Sequence, residues 1–162
     1  MFGYSAIAIT LAASGVVVIA AGGALVTQIG PWYYGLNKPS WQPPDWLFGP
    51  VWTVIFLLMG SAFVLAWEQL TSPAARMRLF GLFALNGGLN TVWSFLFFNF
   101  RRPDLALIEI VPFFGSLLLM VWTVYPLDRR AAWCFVPYIA WVVFATALNI
   151  AIIRRNAPFG QR

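Results

Sequence analysis

The sequence contains no histidine. That removes the commonest general base and the commonest metal ligand, so a Ser-His-Asp hydrolase, a histidine-ligated zinc and a proximal-histidine haem are excluded within one chain. Cysteine is nearly as scarce, since Cys134 stands alone and has nothing to pair with inside the chain. Near the start of the last apolar stretch, it reads as a structural thiol, because apolar surroundings disfavour the thiolate that a haem would need. Charge is also short, at 9% of residues, with 5 Asp and Glu against 10 Lys and Arg. Soluble domains carry about 25% charged residues, so this chain cannot cover a water-facing surface. No metal centre is expected from so thin a set of donors.

What the chain has instead is 61% hydrophobic and 18% aromatic side chains over 162 residues, with a mean hydropathy of +0.79. That is the composition of a membrane protein. A transmembrane helix needs about 20 apolar residues to cross a hydrocarbon core about 30 Å thick. Stretches 4–27, 46–67, 79–100, 105–127 and 131–153 qualify. The expectation is an all-α membrane protein, one domain over 1–162, built as a bundle of five transmembrane helices with a long first loop. No Lys or Arg precedes the first stretch, so it lacks the basic start of a secretory signal and is expected to be retained as a span.

The basic residues sit between apolar runs, as Arg76 with Arg78, Arg101 with Arg102, Arg129 with Arg130 and Arg154 with Arg155. They mark lipid headgroups rather than a nucleic-acid surface. Arg76, Arg78, Arg129 and Arg130 fall on the N-terminal side of the bundle; Lys38, Arg101, Arg102, Arg154, Arg155 and Arg162 fall on the other. The excess leans toward a cytoplasmic C terminus.

The most distinctive segment is 32–53, WYYGLNKPSWQPPDWLFGPVWT. Pro39, Pro43 and Pro44 remove amide donors and extend the residues before them, while Trp32, Trp41, Trp46 and Trp52 add flat surfaces with one donor each. The segment reads either as a stiff aromatic lid or as an interfacial tryptophan belt. At about 100° per residue, Trp52, Phe56, Met59 and Phe63 share a face of the second span, Asn86, Asn90, Trp93 and Phe97 a face of the third, and Tyr138, Trp141, Ala145 and Asn149 a face of the fifth. The amides must point into the bundle, for interhelical bonding or for a pocket walled by aromatics. Glu109 lies well inside the fourth span, three residues before Pro112. It is a candidate functional group by position, or else reaches the headgroups, Arg101, Arg102 or a neighbouring amide. Ala84 with Gly88, and Ala20 with Ala24, have the small-xxx-small spacing that lets helices approach, within the chain or in a dimer.

With these residues in view, the whole chain resembles the translocator protein family, also called tryptophan-rich sensory protein or peripheral benzodiazepine receptor. The marks are WYYGLNKPSWQPP at 32–44, PVWT at 50–53, LNTVWSFLFF at 89–98, ALIE at 106–109 and VPYIAWVVFATALN at 136–149. The resemblance implies a five-helix bundle, commonly a homodimer, that binds tetrapyrroles such as protoporphyrin IX beneath the first loop, and in some members cholesterol and synthetic benzodiazepine-site or isoquinoline carboxamide ligands, as receptor, transporter or stress sensor with no cofactor required. By motif position its pocket here comprises Tyr33, Trp52, Phe56, Asn90, Trp93, Trp141 and Ala145, with Lys38 at the mouth to receive propionates. It also implies a rival reading as an enzyme degrading protoporphyrin in light, with Trp52 and Trp141 as the candidate reacting residues. No acid, base or metal constellation in the sequence favours or excludes that rival. A further alternative is a sterol-binding or scaffold membrane protein whose ligand only shifts its conformation or partners, with the long first loop as the moving part. Ile150 stands where the family's sterol motif carries tyrosine, which weakens the case for sterol binding there. A loose match at Val121, Tyr125 and Arg129 is of a kind common by chance.

Overall fold

The computed structural model describes residues 4–160. Among them, Ala6–Val26, Asp45–Glu68, Pro73–Asn99, Pro103–Val124 and Arg129–Asn156 are long and apolar enough to cross a membrane, and no strand occurs. In chain order the elements are α1 (Ala6–Val26), a single turn α2 (Pro31–Tyr34), α3 (Phe48–Glu68), α4 (Pro73–Ser94), α5 (Pro103–Val124), the short α6 (Arg129–Trp133) and α7 (Val136–Asn156). A 3-10 turn, Asp45–Leu47, leads into α3, and a π-helical turn, Phe95–Asn99, prolongs α4. Proline occupies the first turn of α2, α4, α5 and α7, where its missing N–H belongs to no intrahelical bond. Asp128 caps α6 by accepting from the Arg130 amide at 2.8 Å, and the Arg130 side chain it also bonds holds its carboxyl below the usual range.

The third span starts at Pro73 rather than at 79, and the fifth runs on to Asn156 rather than stopping at 153. Arginine is a good helix former, so a helix need not stop where the hydrocarbon does. Arg76 folds back to donate from Nε to the Leu70 carbonyl at 2.9 Å, with its guanidinium 5.2 Å from the Trp67 ring centroid. Arg154 and Arg155 occupy the last turn of α7, where cations suit the helix dipole. Between the third and fourth spans the chain reverses through Arg101, whose φ of 55° is left-handed. The Arg102 amide closes that reversal on the Leu96 carbonyl at 2.9 Å, a Schellman-like arrangement.

The main core joins Ile55, Met59 and Phe63 of α3 to Phe113, Leu117 and Met120 of α5 and to Phe135, Tyr138 and Val142 near and within α7. A smaller cluster under the first loop contains Tyr33, Phe97, Ala106, Leu148 and Ile152. α1 is packed differently, with Ala8 its only buried residue. It rests on two glycines: a methyl at Gly60 would stand 3.3 Å from Val16 Cγ2, and one at Gly87 would stand 2.3 Å from Ile19 Cδ1. Its ends are tied, since the Ser5 amide donates to Glu68 Oε1 at 2.8 Å and Asn99 Nδ2 donates to the Val26 carbonyl at 2.8 Å. The close approach between α1 and α4 is therefore at Gly87, one position from the expected Gly88, where a methyl would meet no atom within 4 Å.

Candidate ligand site

The first loop closes one end of the bundle by contacts its proline and tryptophan spacing makes possible. The Tyr33 hydroxyl donates to Asp45 Oδ1 at 2.8 Å, and Gln42 Nε2 donates to the Tyr33 hydroxyl at 3.2 Å and to Asp45 Oδ1 at 3.3 Å. Lys38 Nζ sits 3.5 Å from the Tyr33 ring centroid and 3.9 Å from Asp45 Oδ2. The structure thus places Lys38 inside a cluster that already balances its charge. Burial, and then the Asp45 carboxylate, hold the Tyr33 phenol above its ordinary value. The loop is fastened to the end of α7 by Asn156, whose Oδ1 accepts from the Asn37 amide at 2.8 Å while Nδ2 donates to the Asn37 carbonyl at 3.1 Å. Of the loop residues singled out in the sequence, Trp32 meets Phe97 edge-on, Trp41 meets Phe144, Pro39 is buried, Pro43 is half-buried and Pro44 is exposed.

Beneath this lid lie flat aromatic pairs. Trp52 stacks on Phe56 with centroids 5.3 Å apart and planes at 28°, and Trp93 stacks on Phe97 at 5.1 Å and 24°. Trp141 presents its ring to Phe48, 5.4 Å away at 73°, and Ala145 is half-buried one turn further along α7. A cavity of about 630 Å³ opens among α1, α3 and α4 and reaches Met120 and Tyr138. Phe56 and Asn90 line it, whereas Tyr33, Trp52, Trp93, Trp141 and Ala145 do not. Trp141 instead walls a shallower groove of about 500 Å³ with Pro50, Val51, Val54 and Pro137.

The amides are inside, as the absence of water in hydrocarbon demands. Asn86, at 3% exposure, donates to Ser116 Oγ at 2.8 Å and accepts from the Tyr138 hydroxyl at 2.9 Å. Asn149 bridges backbone groups of α5, with its Nδ2 toward the Pro103 carbonyl at 3.2 Å and its Oδ1 toward the Leu107 amide at 3.3 Å. Asn90 is buried on the cavity wall with its amide unengaged among the described residues.

Sequence comparison decides the family. The sequence profile of the TspO/MBR family matches residues 6–155. The chain belongs to the TspO/MBR family. It is 36% identical over 151 residues to "Tryptophan-rich protein TspO" of Archaeoglobus fulgidus, covering 91% of this chain and 97% of that protein. It is 35% identical over 126 residues to the human "Translocator protein", covering 77% of this chain and 75% of the other. To "Tryptophan-rich sensory protein" of Cereibacter sphaeroides it is 34% identical over 125 residues, covering 77% of each. This TspO/MBR chain is an integral multi-pass membrane protein.

Its polar interior holds groups that sequence reasoning left open or missed. Glu109 is buried at 8% exposure and neither carboxyl oxygen has a hydrogen-bond partner among the described residues. Arg102, one of the partners considered for it, instead bonds Asp104 through Nε at 2.8 Å. The Asn86 to Ser116 bond sets the antiparallel register of α4 and α5, so Trp93 and Glu109, about two turns along each helix from that bond, lie at one level. The Trp93 indole N–H is likewise buried without a partner among the described residues. Asn156, Asn99 and Ser116 escape sequence reasoning because each acts through a long-range backbone or hydroxyl contact that no short motif signals. Cys134 is half-buried, with Sγ 3.4 Å from the Arg130 carbonyl.

Proposed function

We propose that this TspO/MBR protein binds a planar tetrapyrrole of the protoporphyrin IX kind beneath its first loop and acts as a receptor, transporter or stress-sensing regulator, with no further cofactor. The observation that carries this reading is the pair of face-stacked aromatics under the lid, Trp52 on Phe56 and Trp93 on Phe97, next to the unengaged amide of Asn90. Flat, apolar faces with a few placed polar groups are the usual make-up of a small-molecule site. The terms "translocator" and "sensory" in its relatives' names agree with carrying or sensing a ligand.

The test is quenching of tryptophan fluorescence by protoporphyrin IX in nanodiscs, in the dark. Saturable quenching is expected, strongly weakened in a Trp52→Ala, Trp141→Ala double variant and reduced in Asn90→Ala. Unchanged quenching in the double variant overturns the site. A second reading, light-driven oxidative breakdown of the porphyrin, is favoured by the electron-rich indole of Trp52 already lying in a stack, since such a ring can donate an electron to an excited macrocycle. Under light, many porphyrins converted per protein supports catalysis; loss that stops at about one equivalent, with damaged tryptophans, rules it out.

The same reading includes a homodimer and a cytoplasmic C terminus. Crosslinking in native membranes and a reporter fused after Arg162 test these two points. Sterol binding at the end of α7 is not part of it, because Ile150 supplies no hydroxyl.

A further inference from the structure

The arginines at the two ends of the bundle are held differently. At the end bearing the N terminus, each one is folded onto the protein. Arg76 donates to the Leu70 carbonyl at 2.9 Å, Arg78 to the Ala74 carbonyl at 3.4 Å and Arg130 to Asp128 Oδ2 at 2.8 Å, while the Arg129 guanidinium sits 5.7 Å from the Tyr125 ring centroid. At the end bearing the first loop, the acids are Asp45 and Asp104. Both are engaged, Asp45 by Lys38 and Asp104 by Arg102. Arg101, Arg154 and Arg155 are exposed, and their guanidinium groups have neither a hydrogen bond nor an ion pair among the described residues.

The fold brings these three arginines to one corner. Asn149 of α7 bridges the Pro103 carbonyl and the Leu107 amide of α5, at 3.2 and 3.3 Å, which fixes the level of one antiparallel helix against the other. Arg101 lies two residues beyond Pro103 toward the loop end. Arg154 and Arg155 lie beyond Asn149 in the same direction, by about 8–9 Å at 1.5 Å per residue. The chain then turns back. A methyl at Gly160, whose φ is +83°, would stand 2.9 Å from Arg102 Nη1, so the segment after α7 crosses the Arg102 guanidinium and joins the end of α7 to the start of α5. Arg102 is thus partly covered as well as neutralised, and the corner carries the charge of three guanidinium groups. It stands at the edge of the hydrocarbon, since Ile152 and Ile153 precede Arg154, and Phe100, 57% exposed, precedes Arg101.

We propose that this corner, between the end of α7 and the start of α5, binds an anionic phospholipid whose headgroup carries two phosphates. The guanidinium fork matches phosphate oxygens with two parallel N–H bonds, and such charge-assisted bonds are stronger than bonds to neutral acceptors. A zwitterionic headgroup brings its own cation and leaves the three charges unbalanced. One phosphate balances one of them, whereas a two-phosphate headgroup balances two and is wide enough to engage both helices. The occupant is a membrane lipid because the apolar residues beside the corner lie where acyl chains run, so headgroup and chains are held together. The site is on the outside of the bundle, shares no residue with the tetrapyrrole site and does not rest on that reading.

Native mass spectrometry of the full chain, released from detergent micelles after incubation with defined lipids, reads the lipid retained per protein. The probes are diphosphatidylglycerol, phosphatidylglycerol and phosphatidylcholine with the same acyl chains, and retention is expected to fall in that order. Arg101→Gln, Arg154→Gln and Arg155→Gln are each expected to weaken diphosphatidylglycerol binding about 5-fold, and the triple variant on the order of 100-fold, the usual effect of basic residues beside an anionic lipid surface. Arg78→Gln and Arg129→Gln, at the opposite end, are expected to leave it unchanged. A charge-keeping variant separates recognition from folding. With Arg101→Lys, Arg154→Lys and Arg155→Lys combined, the preference for anionic lipid should persist while retention falls between the parent and the triple Gln variant, because an ammonium lacks the fork. Equal retention of the three lipids, or losses in the Arg78 and Arg129 variants as large as those at the corner, overturn the proposal. Equal retention of the one- and two-phosphate lipids overturns the assigned headgroup, and displacement of the lipid by excess inorganic phosphate overturns its assignment as a lipid site.

Discussion

Replacing Asn156 with alanine is expected to loosen the first loop at one place. The side chain makes two hydrogen bonds to the Asn37 backbone, at 2.8 and 3.1 Å. Each such bond contributes about 0.5–1.5 kcal/mol net, so losing both costs about 1–3 kcal/mol. At 1.4 kcal/mol per factor of ten, the open population of that segment rises about 5- to 150-fold. The loop does not detach, because Trp41 on Phe144, Tyr33 on Phe98 and Trp32 on Phe97 remain, each contact adding about 0.5–1.5 kcal/mol beyond its buried area. Amide hydrogen exchange in nanodiscs reads this directly. The Asn37 amide should exchange faster by that factor. The Tyr34 and Leu47 amides, bonded to the Gly30 and Pro44 carbonyls, should keep their rates. Asn156→Asp keeps the acceptor for the Asn37 amide and should fall between the two. Exchange at Asn37 unchanged in Asn156→Ala, or accelerated equally at all three positions, refutes the assignment of Asn156 as a local latch.

Tyr138→Phe strands the Asn86 oxygen and is expected to lower stability by about 0.6 kcal/mol, the usual worth of an interhelical bond in a membrane, as read by thermal unfolding in detergent; a gain in stability contradicts the bond. Glu109→Leu removes a buried carboxyl that has no partner among the described residues, so it is expected to raise stability by about 1–3 kcal/mol, and a loss would mean that the carboxyl makes a contact in the membrane. Because the Tyr33 phenol is held above its ordinary value, its bond to Asp45 stabilises the loop fully below about pH 10 and is lost as pH rises beyond that. Loop protection should therefore fall with alkaline pH in the parent protein and much less in Tyr33→Phe; identical profiles would remove Tyr33 from the explanation. Glu68→Ala frees the Ser5 amide and should speed exchange at the first turn of α1 while leaving α5 unaffected.

The fold was legible because hydrocarbon imposes a length and a composition on each span, and five stretches met both. The expected spans fell short where helices outran the hydrocarbon, at Pro73 and at Asn156, since a hydropathy reading stops at Arg78 and at Arg154 although the backbone does not. Amide burial was equally legible: Asn86, Asn90 and Asn149 had nowhere to go but inward. The site was legible only in part. The sequence showed which residues share a helix face, but not that Lys38 would be occupied by Tyr33 and Asp45, because closing that cluster depends on how the loop folds. Nor did a face assignment show that the open volume lies toward α1, with Phe56 and Asn90 on its wall and the other expected residues packed elsewhere. That volume depends on where α1 stands, and α1 stands on Gly60 and Gly87, whose spacing matches no motif.

The π-helical turn at the end of α4 makes the length of that helix a fixed quantity. Its Phe100 amide reaches back five residues, to the Phe95 carbonyl at 3.0 Å, so the turn holds one residue more than an α-helix would. The wider turn already takes up that extra residue, so a further residue inserted within 95–99 finds no slack and would swing everything after it by about 100°. Asn99 would then leave the Val26 carbonyl, and the C-terminal tie of α1 would be lost without any change at α1 itself. A single-residue insertion at this turn should therefore act on a helix more than seventy positions earlier in the chain. Substitutions there that preserve the residue count, with Asn99 kept, should be tolerated.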